Sequence, residues 1–299
     1  MISGFTIIRN GVVFDYPFIE SIRSMLPIVD ELIINVGYGT DSTMEAIQKL
    51  LANEAQGKKI VLFESHWPLD DPQKRKEGKI LSEQTNLALE RCSNDWCLYL
   101  QADEVLSESD FDKITTAVNK ATVDKKIDGL LFNYIHFYGS FDVIQKSRSA
   151  YRREVRMIKK SSGAKSIGDA QSFRKPDGSK PTVIHSGADV YHYGWVRTPE
   201  AMKQKTAFMD SLYHGVSKDG TIATGDNYRY KKIIGLYPFK GAHPKFMQKR
   251  IQLKNWKWDI KNSPLEWKLS DLKKILLNCI ENLTGYRLFE YKSYKLIKK

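Results

Sequence analysis

The run Cys97-Leu98-Tyr99-Leu100-Gln101-Ala102-Asp103-Glu104-Val105 carries an apolar stretch into two adjacent carboxylates. Residues 96–100 are aromatic and aliphatic, the composition of a strand buried on both faces. Open α/β sheets bind ligands beyond the carboxyl ends of such strands. A carboxylate there can hold a hard divalent cation, and the cation can neutralise the phosphates of a nucleotide. The plainer role of the same pair is to solvate a strand end and cap the next helix. Further along, Tyr191-His192-Tyr193-Gly194-Trp195 sets an imidazole among aromatics. A neutral ring there ligates Mn²⁺ more readily than Mg²⁺, and the alternative is a packed histidine bonded to a backbone carbonyl. His136, in an aromatic strand, is ambiguous.

The elements that must position these groups alternate as in α/β proteins. Apolar runs predict strands over residues 5–8, 31–36, 60–64, 95–100 and 129–138, with helices over 18–25, 81–91 and 107–121. Ser42 with Glu45 has the spacing of a capping box opening a helix whose apolar face is Ala46, Ile47, Leu50 and Leu51, and such a helix start offers free amides to a phosphate. Residues 67–79 form a loop rich in both charge signs, and 160–165 and 175–178 read as further loops.

Several of these segments, in order along roughly the first 240 residues, resemble glycosyltransferase family 2. LQADEVLSE is similar to the LDADE-type variant of that family's D-x-D motif. Gly4-Phe5-Thr6-Ile7-Ile8-Arg9-Asn10 resembles its first strand and nucleotide-contacting turn, Glu20-Ser21-Ile22 its next helix, residues 29–36 its second strand, and Gly39-Thr40-Asp41-Ser42-Thr43 its Gly-Ser-Thr-Asp-Gly-Thr loop. Val155-Arg156-Met157, the stretch 168–174 and Tyr191-His192-Tyr193-Gly194-Trp195-Val196-Arg197 resemble later motifs of a bacterial surface-polysaccharide subgroup related to lipopolysaccharide-core enzymes.

The resemblance implies a GT-A fold, a Rossmann-like mixed and mostly parallel sheet flanked by helices. It also implies inverting transfer of a sugar from a nucleotide-diphosphate donor to a glycan or lipid-linked acceptor. By position in the motifs, the donor contacts are Arg9, Asn10, Gly37, Lys79, Gln101, Ala102 and Asp103. The Mn²⁺ or Mg²⁺ ligands are Asp103 and His192, the carboxylate base is Asp169, and the acceptor-cleft residues are Trp195 and Arg197. Gln101 and Gly37 depart from the family pattern, which has aspartates at both positions. Gln101 can still hydrogen-bond a ribose or base edge, but the cation then depends more on Asp103 and on oxygens supplied by the diphosphate.

Bulk features agree with a cytoplasmic enzyme. No run is long enough to span a bilayer, and Met1 leads directly into a strand pattern rather than a signal peptide. Three cysteines without ligand spacing, Cys92, Cys97 and Cys279, read as buried reduced thiols. Residues 1–239 make a catalytic domain. Residues 240–299 make a helical region with 15 Lys and Arg against 5 Asp and Glu, in a chain of net charge +12. Its Trp256, Trp258, Trp267, Tyr286, Phe289, Tyr291 and Tyr294 sit among these basic residues, a mixture that suits an anionic membrane, nucleic acid or an ordinary solvated basic face; the lipid-linked acceptor that the resemblance implies favours peripheral contact with an anionic membrane. The sequence lacks a P-loop, a G-x-S-x-G elbow and a G-x-G-x-x-G after a strand. Two alternatives stay open: a sugar nucleotidyltransferase, and a non-catalytic nucleotide-sugar or glycan-binding protein of the same fold.

Overall fold

The computed structural model describes residues 1–214, 228–266 and 268–297; Trp267 and the last two lysines lie outside them. In chain order the elements are β1 (Ile2–Ile8), α1 (Phe18–Met25), β2 (Glu31–Gly37), α2 (Thr43–Asn53), β3 (Ile60–Ser65), α3 (Lys79–Glu90), β4 (Trp96–Tyr99), β5 (Glu104–Leu106), α4 (Phe111–Thr122), β6 (Gly129–Tyr138), β7 (Ser140–Gln145), β8 (Arg153–Lys159), β9 (Lys165–Ile167), β10 (Ser172–Arg174), β11 (Thr182–Trp195), α5 (Pro199–His214), β12 (Leu236–Pro238), α6 (Gln248–Gln252), α7 (Leu269–Thr284) and β13 (Lys295–Leu296). The fold is mixed α/β, as expected.

One eleven-stranded sheet organises the molecule. Strands β4, β1, β2 and β3 run parallel, and β8 joins β4 antiparallel. Strand β6 is held by β8 and β7 on one edge and, in parallel, by β11 on the other. Strands β4, β1 and β2 are largely apolar on both faces because each face is covered, whereas β3 at the edge is only partly buried. Leu32, Ile34, Trp96, Leu98 and Leu100 pack with α1, α2 and α4. The alternate residues Phe5, Ile7, Ile33, Cys97 and Tyr99 pack with α3 and Leu212 of α5. This period of two is the pleat of a strand buried on both sides.

Three local expectations are corrected. Ser42 makes no capping hydrogen bond at the start of α2. Asp41 Oδ1 instead accepts from the Thr43 amide (3.1 Å) and hydroxyl (2.5 Å), an Asx turn that satisfies the first amide of the helix from one residue earlier. The helix expected from residue 107 starts α-helical only at Phe111, after a 3₁₀ turn over Glu108–Asp110. Cys279 is exposed on α7, whereas Cys92 and Cys97 are buried as expected.

The region after residue 240 is tied into the rest of the chain. Arg250 pairs with Asp15 (2.6 Å), Glu290 with Arg152 (2.7 Å), and β13 adds to the main sheet beside β11. No helix among the described residues is long and apolar enough to cross a membrane.

Candidate functional site

Beyond the carboxyl ends of β1 and β4 lies a cavity of about 300 Å³. Arg9, Gln101, Ala102, Asp103, Asp169, His192 and Trp195, scattered through the sequence, all line it. Topology brings them together: β1 and β4 are neighbours and deliver Arg9 and residues 101–103, while β11 returns past β5 to deliver His192 and Trp195.

The two adjacent carboxylates have separate fates. Glu104 is fully buried and pairs with fully buried Arg156. Its Oε1 accepts from Arg156 Nη2 and Tyr134 Oη, both at 2.8 Å, and its Oε2 from Arg156 Nε (2.8 Å) and the Gln101 amide (3.0 Å). Every acceptor position is used by the protein, so Glu104 anchors the turn and has nothing left for a ligand.

Asp103, beside it, faces the cavity. Its Oδ2 accepts from Lys205 Nζ at 3.1 Å and lies 3.7 Å from Arg197 Nη2, and its Oδ1 lies 3.7 Å from His192 Nε2. Burial pushes this carboxyl up, but Lys205 foremost, with His192 and Arg197, outweighs burial and holds it well below the usual carboxylate range. Burial also lowers Lys205 to about 8 and His192 to about 4. Near neutral pH the ammonium therefore keeps its proton and the imidazole is uncharged. One carboxylate among two fixed cations leaves a local positive excess, suited to an anion.

Asp169 sits across the cavity in a tight turn bracketed by left-handed backbone at Gly168 (φ 56°) and Ala170 (φ 61°). A non-glycine residue in that region is strained, and such strain gathers where a side chain must be aimed. Asp169 Oδ2 accepts from Tyr213 Oη (2.7 Å), and Oδ1 from the Gln171 amide (3.2 Å). Glycine is required at Gly78 (φ 69°), where a Cβ would come within 2.8 Å of the Asp169 backbone.

Helix α5 supplies a whole wall. Lys205, Phe208, Met209 and Tyr213 recur at helical spacing along its cavity face. Trp67 closes another side; its Nε1 is buried with no hydrogen-bond partner among the described residues.

The remaining expected site residues are placed as follows. Arg9 lines the cavity and donates to the Tyr38 carbonyl (2.8 Å). Asn10, next to it, accepts from the Thr40 amide (2.9 Å) and so fixes the loop rather than lining the cavity. Gly37 acts by lacking a side chain, since a Cβ there would collide with the Trp67 ring. Lys79 projects away, half exposed, 3.8 Å from Glu77. Arg197 has no exposed surface; it donates to the Phe14 carbonyl (2.7 Å) and stands over the Tyr16 ring, so its charge reaches the cavity only through Asp103. Trp195 is partly exposed at the rim. Lys205, Tyr213 and Trp67 are cavity residues that motif reasoning did not find.

No family model matches the chain, and no curated protein matches it either. Among solved structures it is similar to S. aureus TarS, with a TM-score of 0.39 and 13% identity over 70% of this chain and 38% of that chain. It is also similar to mannosyltransferase PcManGT from Pyrobaculum calidifontis in complex with GDP-Man and Mn²⁺, with a TM-score of 0.32 and 15% identity over 46% of this chain and 35% of that one. A third is glucosyl-3-phosphoglycerate synthase from Mycobacterium tuberculosis in complex with Mn²⁺, UDP and glucosyl-3-phosphoglycerate, with a TM-score of 0.30 and 20% identity over 46% of this chain and 45% of that chain. The chain thus spans less than half the length of each. These are partial likenesses, and the cavity stands on its own geometry.

Proposed function

We propose that this chain is a GT-A glycosyltransferase of the family 2 type. In this reading it moves a sugar from a nucleotide-diphosphate donor to a hydroxyl of a glycan or lipid-linked acceptor, with inversion, in the synthesis of a bacterial surface polysaccharide. The observation that carries this is the pairing, in one cavity, of two carboxylates in opposite settings: Asp103 embedded among cations, and Asp169 half-buried with only neutral donors.

Lys205, with Arg197 behind Asp103, sets positive charge at the cavity base where the departing diphosphate gathers negative charge. Asp169 accepts the proton of the acceptor hydroxyl. The hydroxyl oxygen bonds to the anomeric carbon from the side opposite the diphosphate, and the old bond breaks with its electron pair leaving on the diphosphate oxygen. Tyr213 holds Asp169 in place. Asp103 and His192, 3.7 Å apart, are the residues that would hold a divalent cation, and it would have to bind against the charges of Lys205 and Arg197. No cluster of three or more His, Cys, Asp or Glu ligands occurs among the described residues, so a cation there would need further oxygens from the diphosphate. When bound, such a cation supplies further neutralisation of the leaving diphosphate. Gln101 is a polar group offered to the nucleoside or sugar.

A peripheral membrane contact belongs to the same proposal. Helix α7 leaves Leu272, Leu276 and Leu283 at 54%, 63% and 86% exposure. They form a stripe beside Lys273 and Lys274 that suits the surface of an anionic bilayer.

The experiment is a thermal-shift panel of UDP-, GDP- and dTDP-sugars with and without Mn²⁺, with a CMP-sugar as monophosphate control, followed by transfer assays on the donor that binds. A ligand at 100 times its Kd stabilises by about 2.7 kcal/mol. If no nucleotide diphosphate raises the melting temperature, the proposal fails; if one binds without transfer or hydrolysis, the non-catalytic alternative stands.

A further inference from the structure

The ammonium of Lys205 occupies the Asp103 carboxylate. Its Nζ donates to Asp103 Oδ2 at 3.1 Å and to the Gly194 carbonyl at 2.8 Å. An ammonium has three N–H bonds and no lone pair, so one N–H is left over on a side chain that lines the cavity. Glycine at position 194 permits this approach, because a Cβ there would lie 2.5 Å from the His192 ring and 3.1 Å from Asp103 Oδ2. Behind the carboxylate, Arg197 Nη2 stands 3.7 Å from the same oxygen. The Tyr16 ring serves both cations, 5.3 Å from Lys205 Nζ and 4.7 Å from the Arg197 guanidinium.

A hard divalent cation asks for a shell of oxygens, octahedral for Mg²⁺. Here Asp103 Oδ2 is taken by the ammonium, Oδ1 has the His192 ring across 3.7 Å, and no group of three His, Cys, Asp or Glu ligands occurs among the described residues. Charge weighs the same way. A donor diphosphate carries one negative charge on each phosphate, and the residues at and behind this wall set Lys205, Arg197 and Arg9 against the carboxylate of Asp103, with Asp169 across the cavity. That excess of two positive charges at the wall matches the two phosphates before any metal ion is added.

We propose that Lys205 takes the place of a divalent metal ion: its ammonium, held by Asp103 and the Gly194 carbonyl, donates its remaining N–H to the β-phosphate of the donor, and Asp103 serves as the holder of that ammonium. When the bond from the anomeric carbon breaks, its electron pair collects on the β-phosphate oxygen beside this cation, which keeps its proton throughout. Donor binding and diphosphate departure then need no metal. This rests on the reading of the cavity as a nucleotide-diphosphate sugar site. A hydrogen bond between charged partners is worth about 10–100-fold in affinity.

The test uses the full chain, stripped of metal. Calorimetric titrations with UDP, GDP and dTDP, in chelator and in Mn²⁺, should give dissociation constants that differ by less than about tenfold for the nucleotide that binds. Lys205→Met, which removes the charge and keeps most of the side chain's length, should weaken that diphosphate in chelator about 10–100-fold. The matching nucleoside monophosphate, which has no β-phosphate to lose a partner, should be weakened far less. Binding about tenfold or more weaker in chelator than in Mn²⁺ overturns the proposal and leaves the donor site standing. An equal loss for mono- and diphosphate in Lys205→Met, or no loss, overturns it as well, and the wild-type comparison decides alone where that variant does not fold. Wild type that binds none of the three nucleotides, with or without Mn²⁺, overturns the donor site itself, and the proposal with it.

Discussion

Replacing Glu104 by glutamine removes one charge from the interior and changes almost no volume. Its consequence follows from the four donors that converge on the carboxylate: Nε and Nη2 of Arg156, the Tyr134 hydroxyl and the Gln101 amide. A glutamine can meet the donors on one oxygen, but its NH₂ group then points at the others. Arg156 cannot shed its proton to relieve the mismatch, so a fully buried guanidinium is left without a counter-charge. Breaking a buried pair in this way costs about 3–5 kcal/mol. At about 2–4 °C per kcal/mol for domains of some 150–250 residues, the expected fall in melting temperature is about 6–20 °C. Calorimetry or circular dichroism on purified Glu104→Gln measures it. The double variant Glu104→Leu/Arg156→Met should recover much of the loss, because the penalty comes from the orphaned charge. A fall below about 3 °C, or a double variant less stable than the single, would refute the assignment of Glu104 to structure.

Three further outcomes are expected. Asp169→Asn should lower transfer by about 10²–10⁴-fold, the range for a positioned base, with donor affinity nearly unchanged in equilibrium binding; a wild-type rate excludes Asp169 as the base. Acid should destabilise the protein through its buried neutral histidines. Burial lowers His243, and it lowers His136 to about 3. The unfolded chain therefore binds more protons once the pH drops below about 6.5, and stability present above that value is lost by at most about 1.4 kcal/mol per pH unit for each histidine. Urea midpoints at pH 7.5, 6 and 5 should fall in that order, less steeply in His243→Gln. Finally, Leu272→Ser/Leu276→Ser/Leu283→Ser should reduce salt-sensitive sedimentation with anionic liposomes while sparing donor binding, and equal sedimentation of wild type with neutral and anionic vesicles would dismiss the membrane contact.

Much of the scaffold was legible because period and composition are local signals. The strand ending at Leu100 announces itself by unbroken apolar residues, and the structure covers both its faces. The cavity was legible only where it is built from chain ends. Arg9, Gln101, Ala102, Asp103, Asp169, His192 and Trp195 do converge. Lys205 was invisible because a lysine on an amphipathic helix looks like a solvated one; only the return of α5 against Asp103 buries it. Asp103 and Glu104 are equivalent by type. What separates them is Arg156 on β8, 52 residues further along the chain, and no local pattern encodes that pairing. Arg197, expected in the acceptor cleft, shows the same limit: its cation faces inward, toward Asp103 and the Phe14 carbonyl. The helix opened by Asp41 rather than Ser42 shows that turn chemistry one residue upstream can displace a capping box.

The face of α5 that carries Lys205, Phe208, Met209 and Tyr213 gives this molecule an unusual economy. One rigid rod holds both the cation paired with Asp103 and the hydroxyl that steadies Asp169. A rotation or slide of that rod disturbs donor and acceptor chemistry in the same stroke, so changes that re-seat α5 should shift both kinetic constants together. Anyone wishing to retune donor choice alone will find more freedom at Gln101, which lines the cavity from the end of β4 rather than from α5.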